Sequence, residues 1–329
     1  MAIFTAPPAW WYKKNLISYC LQPIAWGYQS IISLRRFLYR CGFKKTTSFS
    51  VPVIVVGNLT VGGTGKTPLV IWLAQFLQAQ GYKPGIVSRG YGGRAPQYPL
   101  LVTTVTNPSW CGDEPLLIAR NTGCPVMVDP QRTRAVATLL AQTDCNVIIS
   151  DDGLQHYALG RTLEIVVVDG VKRFGNGFCL PAGPLREPLR RLATVDLMVT
   201  NGGDNSAEET MQLQPQAFNQ VINAKNTAPL DYFRGRKIQA VTGIGNPDRF
   251  FQTLRDLGLQ ISEHKFPDHY AYQASDFKNF SANDIIIMTE KDSVKCEKFV
   301  DERYWYLPVA AELSAAFGAK ILEKLTEKS

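Results

Sequence analysis

Apolar residues enter this chain in two different rhythms, and the change of rhythm divides it. From position 51 to 200, short apolar runs bounded by glycine, proline or polar clusters alternate with longer amphipathic stretches. The runs at 51–56, 84–88, 126–128, 146–150, 163–168 and 196–200 predict strands, and the stretches at 67–80 and 131–142 predict helices between them. Strands apolar on both faces belong in a sheet covered on both sides. This part is therefore expected to be α/β, a mostly parallel sheet with helices on both faces. Residues 201–226 are polar and irregular. A second, shorter α/β series follows, with strands at 237–242, 263–266 and 284–288, a turn at 243–247 and a helix at 249–257. The expected division is a core domain over 46–225 and a smaller C-terminal α/β domain over 226–329 that closes over the cleft.

The first 45 residues follow neither rhythm. Leu16, Ile17, Cys20, Leu21, Ile24, Tyr28, Ile31 and Ile32 recur at helical spacing. Residues 15–34 carry no charge and approach the length of a membrane span, but Asn15, Gln22, Gln29, three serines and Pro23 make a poor spanning helix. An amphipathic helix lying in the membrane interface and kinked near Pro23 fits better, with an ordinary amphipathic helix packed on its own domain as the alternative. Trp10, Trp11, Tyr12 and Trp26 are aromatic types that settle at headgroup depth. Basic residues flank the apolar stretch without a compact apolar core or a small-residue cleavage site, so it does not read as a signal peptide.

Charge sharpens this picture. The chain has a formal net charge of +7, and its first fifty residues alone supply it through Lys13, Lys14, Arg35, Arg36, Arg40, Lys44 and Lys45. No Asp or Glu precedes Asp113. Such a segment suits an anionic surface, nucleic acid or membrane, and its aromatic and apolar content favours the membrane. Seven cysteines with no C-x-x-C pair argue against a disulfide framework or a zinc site and for a reducing compartment, the cytoplasm. A length of 329 residues leaves room for two domains.

The candidate chemistry begins where the run at 51–56 meets a glycine-rich turn ending in Gly-Lys-Thr. Thr60, Val61, Gly62, Gly63, Thr64, Gly65, Lys66 and Thr67 form a variant phosphate loop. Its backbone N–H groups and the following helix N-terminus suit polyphosphate, Lys66 suits β/γ-phosphates, and Thr67 suits Mg²⁺. The strict pattern asks for glycine at position 60, where this chain has threonine. The relatives of ParA and dethiobiotin synthetase carry a further lysine where this chain has Val61. A glycine-rich turn without a ligand is the plain alternative. The strand at 146–150 ends in Asp151 and Asp152, as a magnesium-holding strand end does. Asp113 and Glu114 form a second acidic site, read either as a base for an attacking hydroxyl or as an N-capping Asp-Glu at the start of a helix over 116–120. Of the three histidines, His269 sits beside Asp268 in a turn-like stretch, either as a catalytic partner or as an exposed loop residue. Gln155 and His156 follow the Asp pair closely. Arg89, Arg94, Arg132, Arg134 and Arg186 are further candidates for phosphate or acceptor contact.

Taken in order, GNLTVGGTGKTP at 57–68, SRGYGG at 88–93, GDEP at 112–115, DDGLQH at 151–156, LPAGPLREP at 180–188, FPDHY at 266–270 and TEKD at 289–292 resemble the tetraacyldisaccharide 4′-kinase family over nearly the whole chain. The resemblance implies ATP- and Mg²⁺-dependent transfer of phosphate to the 4′-hydroxyl of a tetraacyldisaccharide 1-phosphate, giving lipid IVA in lipid A biosynthesis. It implies ATP on residues 60–67 and the base on Asp113, with His269 as its dyad partner. It places the metal near Glu114, Asp151 and Asp152. It also implies work at the cytoplasmic face of the inner membrane, with the N-terminal helix on the bilayer and no nucleic-acid or obligate protein partner. The competing readings are a membrane-bound ATPase switch of the ParA-like kind, without a lipid product, and a nucleic-acid-binding ATPase.

Overall fold

The structure is a computed structural model that describes residues 8–203 and 209–327. The first seven residues of the expected N-terminal segment and the last two of the chain lie outside the described residues, as do 204–208 of the irregular stretch.

Among the described residues, two sheets account for the strands. The larger has nine, in the order Val309–Glu312, Thr210–Pro215, Leu197–Asn201, Leu163–Asp169, Val53–Gly57, Val147–Ser150, Pro84–Ser88, Val126–Val128, Leu100–Val102. Its interior pairs are parallel, and only the two edge strands run antiparallel. The expected α/β class with helices on both faces is what the chain adopts. Side-chain alternation shows why. Ile54 and Val56 of the central strand feed one core, shared with Leu69, Leu73 and Leu77 of the helix Lys66–Ala79. Val53 and Val55 feed the other, shared with Val136 and Leu139 of the helix Arg132–Gln142. The central strand is followed by neighbours on opposite sides, so its carboxyl end is the point where strand order reverses and where a ligand crevice forms.

The smaller sheet runs Thr227–Ala228, Phe218–Gln220, Tyr304–Leu307, Ile285–Thr289, Lys237–Thr242, Gln260–Lys265. The two sheets do not divide the chain at 225/226. Phe218–Gln220 hydrogen-bonds to Tyr304–Leu307 of the smaller sheet. Val309–Glu312 returns to the edge of the larger sheet, and the helix Ala315–Glu327 packs Phe317, Ile321 and Leu325 into the first core. The stretch expected to be irregular holds two strands. Thr210–Pro215 lies between Leu197–Asn201 and the edge strand Val309–Glu312, and its apolar side is only Met211 and Leu213, with glutamines on the other, too weak an alternation to stand out.

At the amino end, the helices Leu16–Cys20 and Gln22–Arg40 meet at Leu21. The break falls two residues before Pro23, which occupies the first turn of the second helix and so removes no hydrogen bond. Asn15 and Ser18 cap the first helix reciprocally. The apolar positions split between two faces. Ala25 is buried, Leu21, Tyr28 and Ile32 are partly so, and Tyr28 donates its hydroxyl to Arg186 O at 3.0 Å. Leu16, Ile17, Ile24, Trp26, Ile31, Leu34 and Phe37 are exposed, Leu16 by 78 % and Ile31 by 68 %. Trp11 departs from expectation. It is buried, with its indole donating to Pro181 O at 3.0 Å, because its ring fills a gap in the protein and leaves none for a headgroup. No helix among the described residues is long and apolar enough to cross a membrane.

The return of the C-terminal helix makes a stability prediction. Phe317 is fully buried beside Trp72, 5.9 Å between ring centroids. Phe317→Ala should cost about 3–5 kcal/mol in chemical denaturation. Substitution of a solvent-facing residue of the same helix, such as Glu323→Ala, should leave the midpoint unchanged.

Candidate active site

The strand Val53–Gly57 is buried along its whole length and releases the chain into the phosphate loop at its carboxyl end. Gly62 and Gly65 take φ of +111° and +94°, which side chains disfavour. At Gly65 space is also missing, since a Cβ would stand 2.2 Å from the Asn201 amide nitrogen. That amide donates to Thr64 O at 3.0 Å and pins the loop to the neighbouring strand. Lys66 Nζ donates to Asn58 Oδ1 at 3.2 Å and lies 3.5 Å from Asp152, so it stands between loop and carboxylates. Gly63, Thr64, Gly65, Lys66 and Thr67 line the main cavity. Thr60 and Val61 pair with Leu185 and Pro184 and set the loop's path from outside that cavity.

Asp151 and Asp152 end the strand Val147–Ser150 beside this loop. Asp151 is 1 % exposed; its Oδ2 accepts from Ser88 at 3.1 Å, and its Oδ1 has no hydrogen-bond partner. Burial, reinforced by the charges of Glu114 and Asp152, pushes its pKa up to about 7. Asp152, at φ +45°, is gripped through both oxygens by Arg186 Nη1 at 3.1 and 3.2 Å. Burial opposes its ionisation, yet Lys66 and Arg186 outweigh it and hold the carboxyl below the usual range. An orphaned buried oxygen crowded by two other carboxylates is the environment a hard cation relieves. No cluster of three or more His, Cys, Asp or Glu makes a metal centre on its own among the described residues. Mg²⁺ beside a phosphate loop draws much of its shell from phosphate and water, so the residues fit it.

Asp113 and Glu114 are the first two residues of the helix Asp113–Thr122, whose cap position is Gly112 with no side-chain cap, so the N-capping alternative is corrected: they stand in its first turn. Gly112, at φ +88°, brings its backbone so close to Tyr91 O that a Cβ would lie 2.6 Å away, which seats the SRGYGG loop on the GDEP loop. Asp113 Oδ1 accepts from Glu114 N at 2.9 Å, and Oδ2 meets His269 Nδ1 at 3.1 Å across 156 positions of sequence. His269 thus leaves the exposed-loop alternative behind: it is packed against Tyr91, 5.0 Å between ring centroids, at φ +59°. Burial would lower its pKa, but the Asp113 hydrogen bond and charge raise it above its ordinary value. Asp113 is driven the other way. Its burial disfavours the charge, but Lys291, His269 and Lys295 together hold it well below the carboxylate range.

Between these groups and the smaller sheet lies a cavity of about 220 Å³. Its floor is the phosphate loop with Glu114, and its far wall includes Ile244, Arg249, Phe250 and Leu307. The closest approach is backbone to backbone, for a Cβ on Gly245 would stand 2.7 Å from Gly63 N. A polar floor with an apolar wall suits a nucleoside polyphosphate.

Against this geometry, residues 17–326 match the family model described as tetraacyldisaccharide-1-P 4′-kinase. The chain belongs to that family. It is 52 % identical to the tetraacyldisaccharide 4′-kinase of Nitrosococcus oceani, over 97 % of this chain and 94 % of that protein. To its counterpart in Methylobacillus flagellatus it is 49 % identical, over 96 % and 94 %. Among solved structures it is similar to the "apo" form of LpxK from Aquifex aeolicus in complex with ATP, with a TM-score of 0.77 and 29 % identity. That match covers 94 % of this chain and 100 % of the other.

Other candidate residues fall into supporting positions. Arg132, buried, donates to Asp151 O at 2.9 Å, and Arg134 pairs with Asp129; both hold the strand end in place. His156 is kept neutral by burial and by Arg132 and Arg89, which press its pKa down to about 4. His264 meets Gln239 at 2.8 Å in the smaller sheet, away from the cavity lining. Sequence reasoning assigned no role to Asn58, Asn201, Arg249, Phe250 or Lys291. Asn58 and Lys291 carried a signal, their places in GNLTVGGTGKTP and TEKD. The others take meaning from contacts between segments far apart in sequence.

The opposed shifts of the pair give a direct test. His269 should titrate above the ordinary value of about 6.5 when followed by NMR. In Asp113→Asn the raising partner is gone while burial and Lys291 remain, so the His269 midpoint should fall. An unchanged midpoint would mean that the two side chains do not meet in solution.

Proposed function

We propose that this chain transfers the γ-phosphate of ATP to the 4′-hydroxyl of tetraacyldisaccharide 1-phosphate, giving lipid IVA in lipid A biosynthesis. The observation that carries this reading is that an acid–imidazole pair, Asp113 and His269, stands beside the cavity that the phosphate-loop lysine lines, linked to it through Glu114 and Lys291. Three parts divide the work: the N-terminal segment meets the membrane, the phosphate-loop core binds nucleotide, and the smaller domain closes the cleft and brings His269.

The triphosphate lies along residues 62–67, its charge met by backbone N–H groups, the start of the helix Lys66–Ala79 and the Lys66 ammonium. Thr67, Glu114, Asp151 and Asp152 would hold Mg²⁺, which when bound neutralises phosphate charge; Asp151, with its unpartnered oxygen, is the best placed. Asp113 accepts a hydrogen bond from the acceptor hydroxyl and aligns it with the γ-phosphorus. The pair as a unit takes the proton. A carboxylate so strongly stabilised is a weak base alone, and the raised imidazole pKa is what gives the pair its basicity. In a loose phosphoryl transition state little base strength is needed, and alignment matters more.

The acceptor's acyl chains stay in the bilayer. Exposed Leu16, Ile17, Ile24, Trp26 and Ile31, flanked by basic clusters, support a peripheral or monotopic seat at the cytoplasmic face of the inner membrane. The segment is docked through Tyr28 to the backbone of Arg186, whose side chain holds Asp152, so membrane seat and catalytic cleft share one element.

The test is transfer from γ-labelled ATP to tetraacyldisaccharide 1-phosphate in detergent. Wild-type protein should label the lipid, and Lys66→Ala should lower the rate by at least about 10²-fold with its circular dichroism unchanged. ATP hydrolysis without lipid labelling would support the ATPase switch in place of the kinase. For the membrane seat, replacing Leu16, Trp26 and Ile31 together with serine should abolish flotation on anionic vesicles while leaving transfer in detergent intact. Flotation that persists would place the membrane contact elsewhere.

A further inference from the structure

One side chain of the TEKD stretch, Lys291, lines the cavity beside the phosphate loop. Lys291 begins from the helix Glu290–Cys296, which follows the strand Ile285–Thr289 of the smaller sheet, and Thr289 caps that helix by accepting from Asp292 N. Its Nζ lies 2.8 Å from Glu114 Oε1, 3.6 Å from Asp268 and 3.5 Å from His269 Nε2. Its side chain is 17 % exposed, and the residue lines the same cavity as Gly63 to Thr67. Lys66 also acts on Glu114, so the two lysines flank one carboxylate at the phosphate end of the cavity.

We propose that Lys291 is a second phosphate-contacting lysine, delivered by the smaller domain. Its ammonium, paired with Glu114 at 2.8 Å, would contact the terminal phosphate of ATP, and Mg²⁺ would take its place in neutralising Glu114. The inference rests on the kinase reading above.

Charge balance drives the exchange. Lys66 is already committed to Asn58 and Asp152. A nucleoside triphosphate brings more negative charge than one divalent cation cancels, into a site that already holds Asp113, Glu114, Asp151 and Asp152. A cation freed by metal capture of Glu114 is then on hand where the new charge arrives. Lysine suits the move, being a compact charge on a flexible four-carbon stem. Its neighbour Lys295 does not, for it is bound to Asp292 at 2.7 Å under the ring of Tyr272 and is absent from the cavity lining. A structural latch alone would require only that Lys291 bridge the domains; its place on the cavity wall adds access to ligand.

The test is equilibrium binding by calorimetry of ADP and of a non-hydrolysable ATP analogue, each with Mg²⁺, to the full chain and to Lys291→Ala, Lys291→Gln and Lys291→Arg. Lys291→Gln keeps a hydrogen-bond donor for Glu114 and guards against misfolding from a stranded buried carboxylate. The alanine and glutamine variants should weaken the ATP analogue by about 10- to 100-fold, the range for one charge-assisted contact, while ADP affinity stays within about twofold of wild type. Lys291→Arg should recover part of the loss. Equal weakening of both nucleotides would reduce Lys291 to a latch between domains, and no change in either would also overturn the proposal. A wild-type chain that binds neither nucleotide would instead bring down the kinase reading itself.

Discussion

Carboxylates gathered beside a phosphate site and shielded from water must be neutralised, because an unpaired buried charge costs several kcal/mol. Buried Asp113 and Asp151 impose that demand here, partly exposed Glu114 and Asp152 less so, and the cations that answer it come from separate parts of the chain. Lys66 comes from the helix after the phosphate loop, Arg186 from the segment beneath the N-terminal helix, and Lys291 and His269 from the smaller domain. Asp113 and Glu114 thus tie the two sheets together at their chemistry. Glycines at 63 and 245 allow the final backbone approach. The balance is incomplete at Asp151, whose oxygen without a partner marks the place for a metal ion.

The same logic reaches the N-terminal helices. The helix Gln22–Arg40 covers little of the apolar core; what holds it is polar and local, Tyr28 to the backbone of Arg186, Arg36 to Thr194 at 2.7 Å and Ser33 to Arg190 at 2.7 Å. Its anchors fall on and just beyond the segment that positions Asp152. An outer face left apolar and an inner face fastened near Asp152 are consistent with the proposed action on a bilayer-held hydroxyl.

Much of this was legible in the chain. Continuous apolar runs located the interior parallel strands because both of their faces are buried, and the glycine-rich turn stood where sheet order reverses. The residues of GDEP and FPDHY were legible as candidates, but only folding showed that Asp113 and His269 touch. Three kinds of feature were not legible. The strand Thr210–Pro215, one in from the sheet edge, buries one face only, with glutamines on the other, so its pattern is faint. The return of Val309–Glu312 and the helix Ala315–Glu327 to the first core is a matter of topology, which local periodicity does not encode. Trp11 showed the limit of residue-type reasoning, since a tryptophan near a basic amphipathic helix serves a protein interior as well as a membrane interface.

The central claim is that Asp113 and His269, drawn from different sheets, act on phosphoryl transfer as one unit. A double-mutant cycle on kcat for transfer to the lipid acceptor tests it most directly, comparing Asp113→Ala, His269→Ala and the double variant in the same folded protein. The account predicts large losses in both single variants and little further loss when they are combined, because either change disables the pair. Losses that simply multiply would show two independent residues and contradict it.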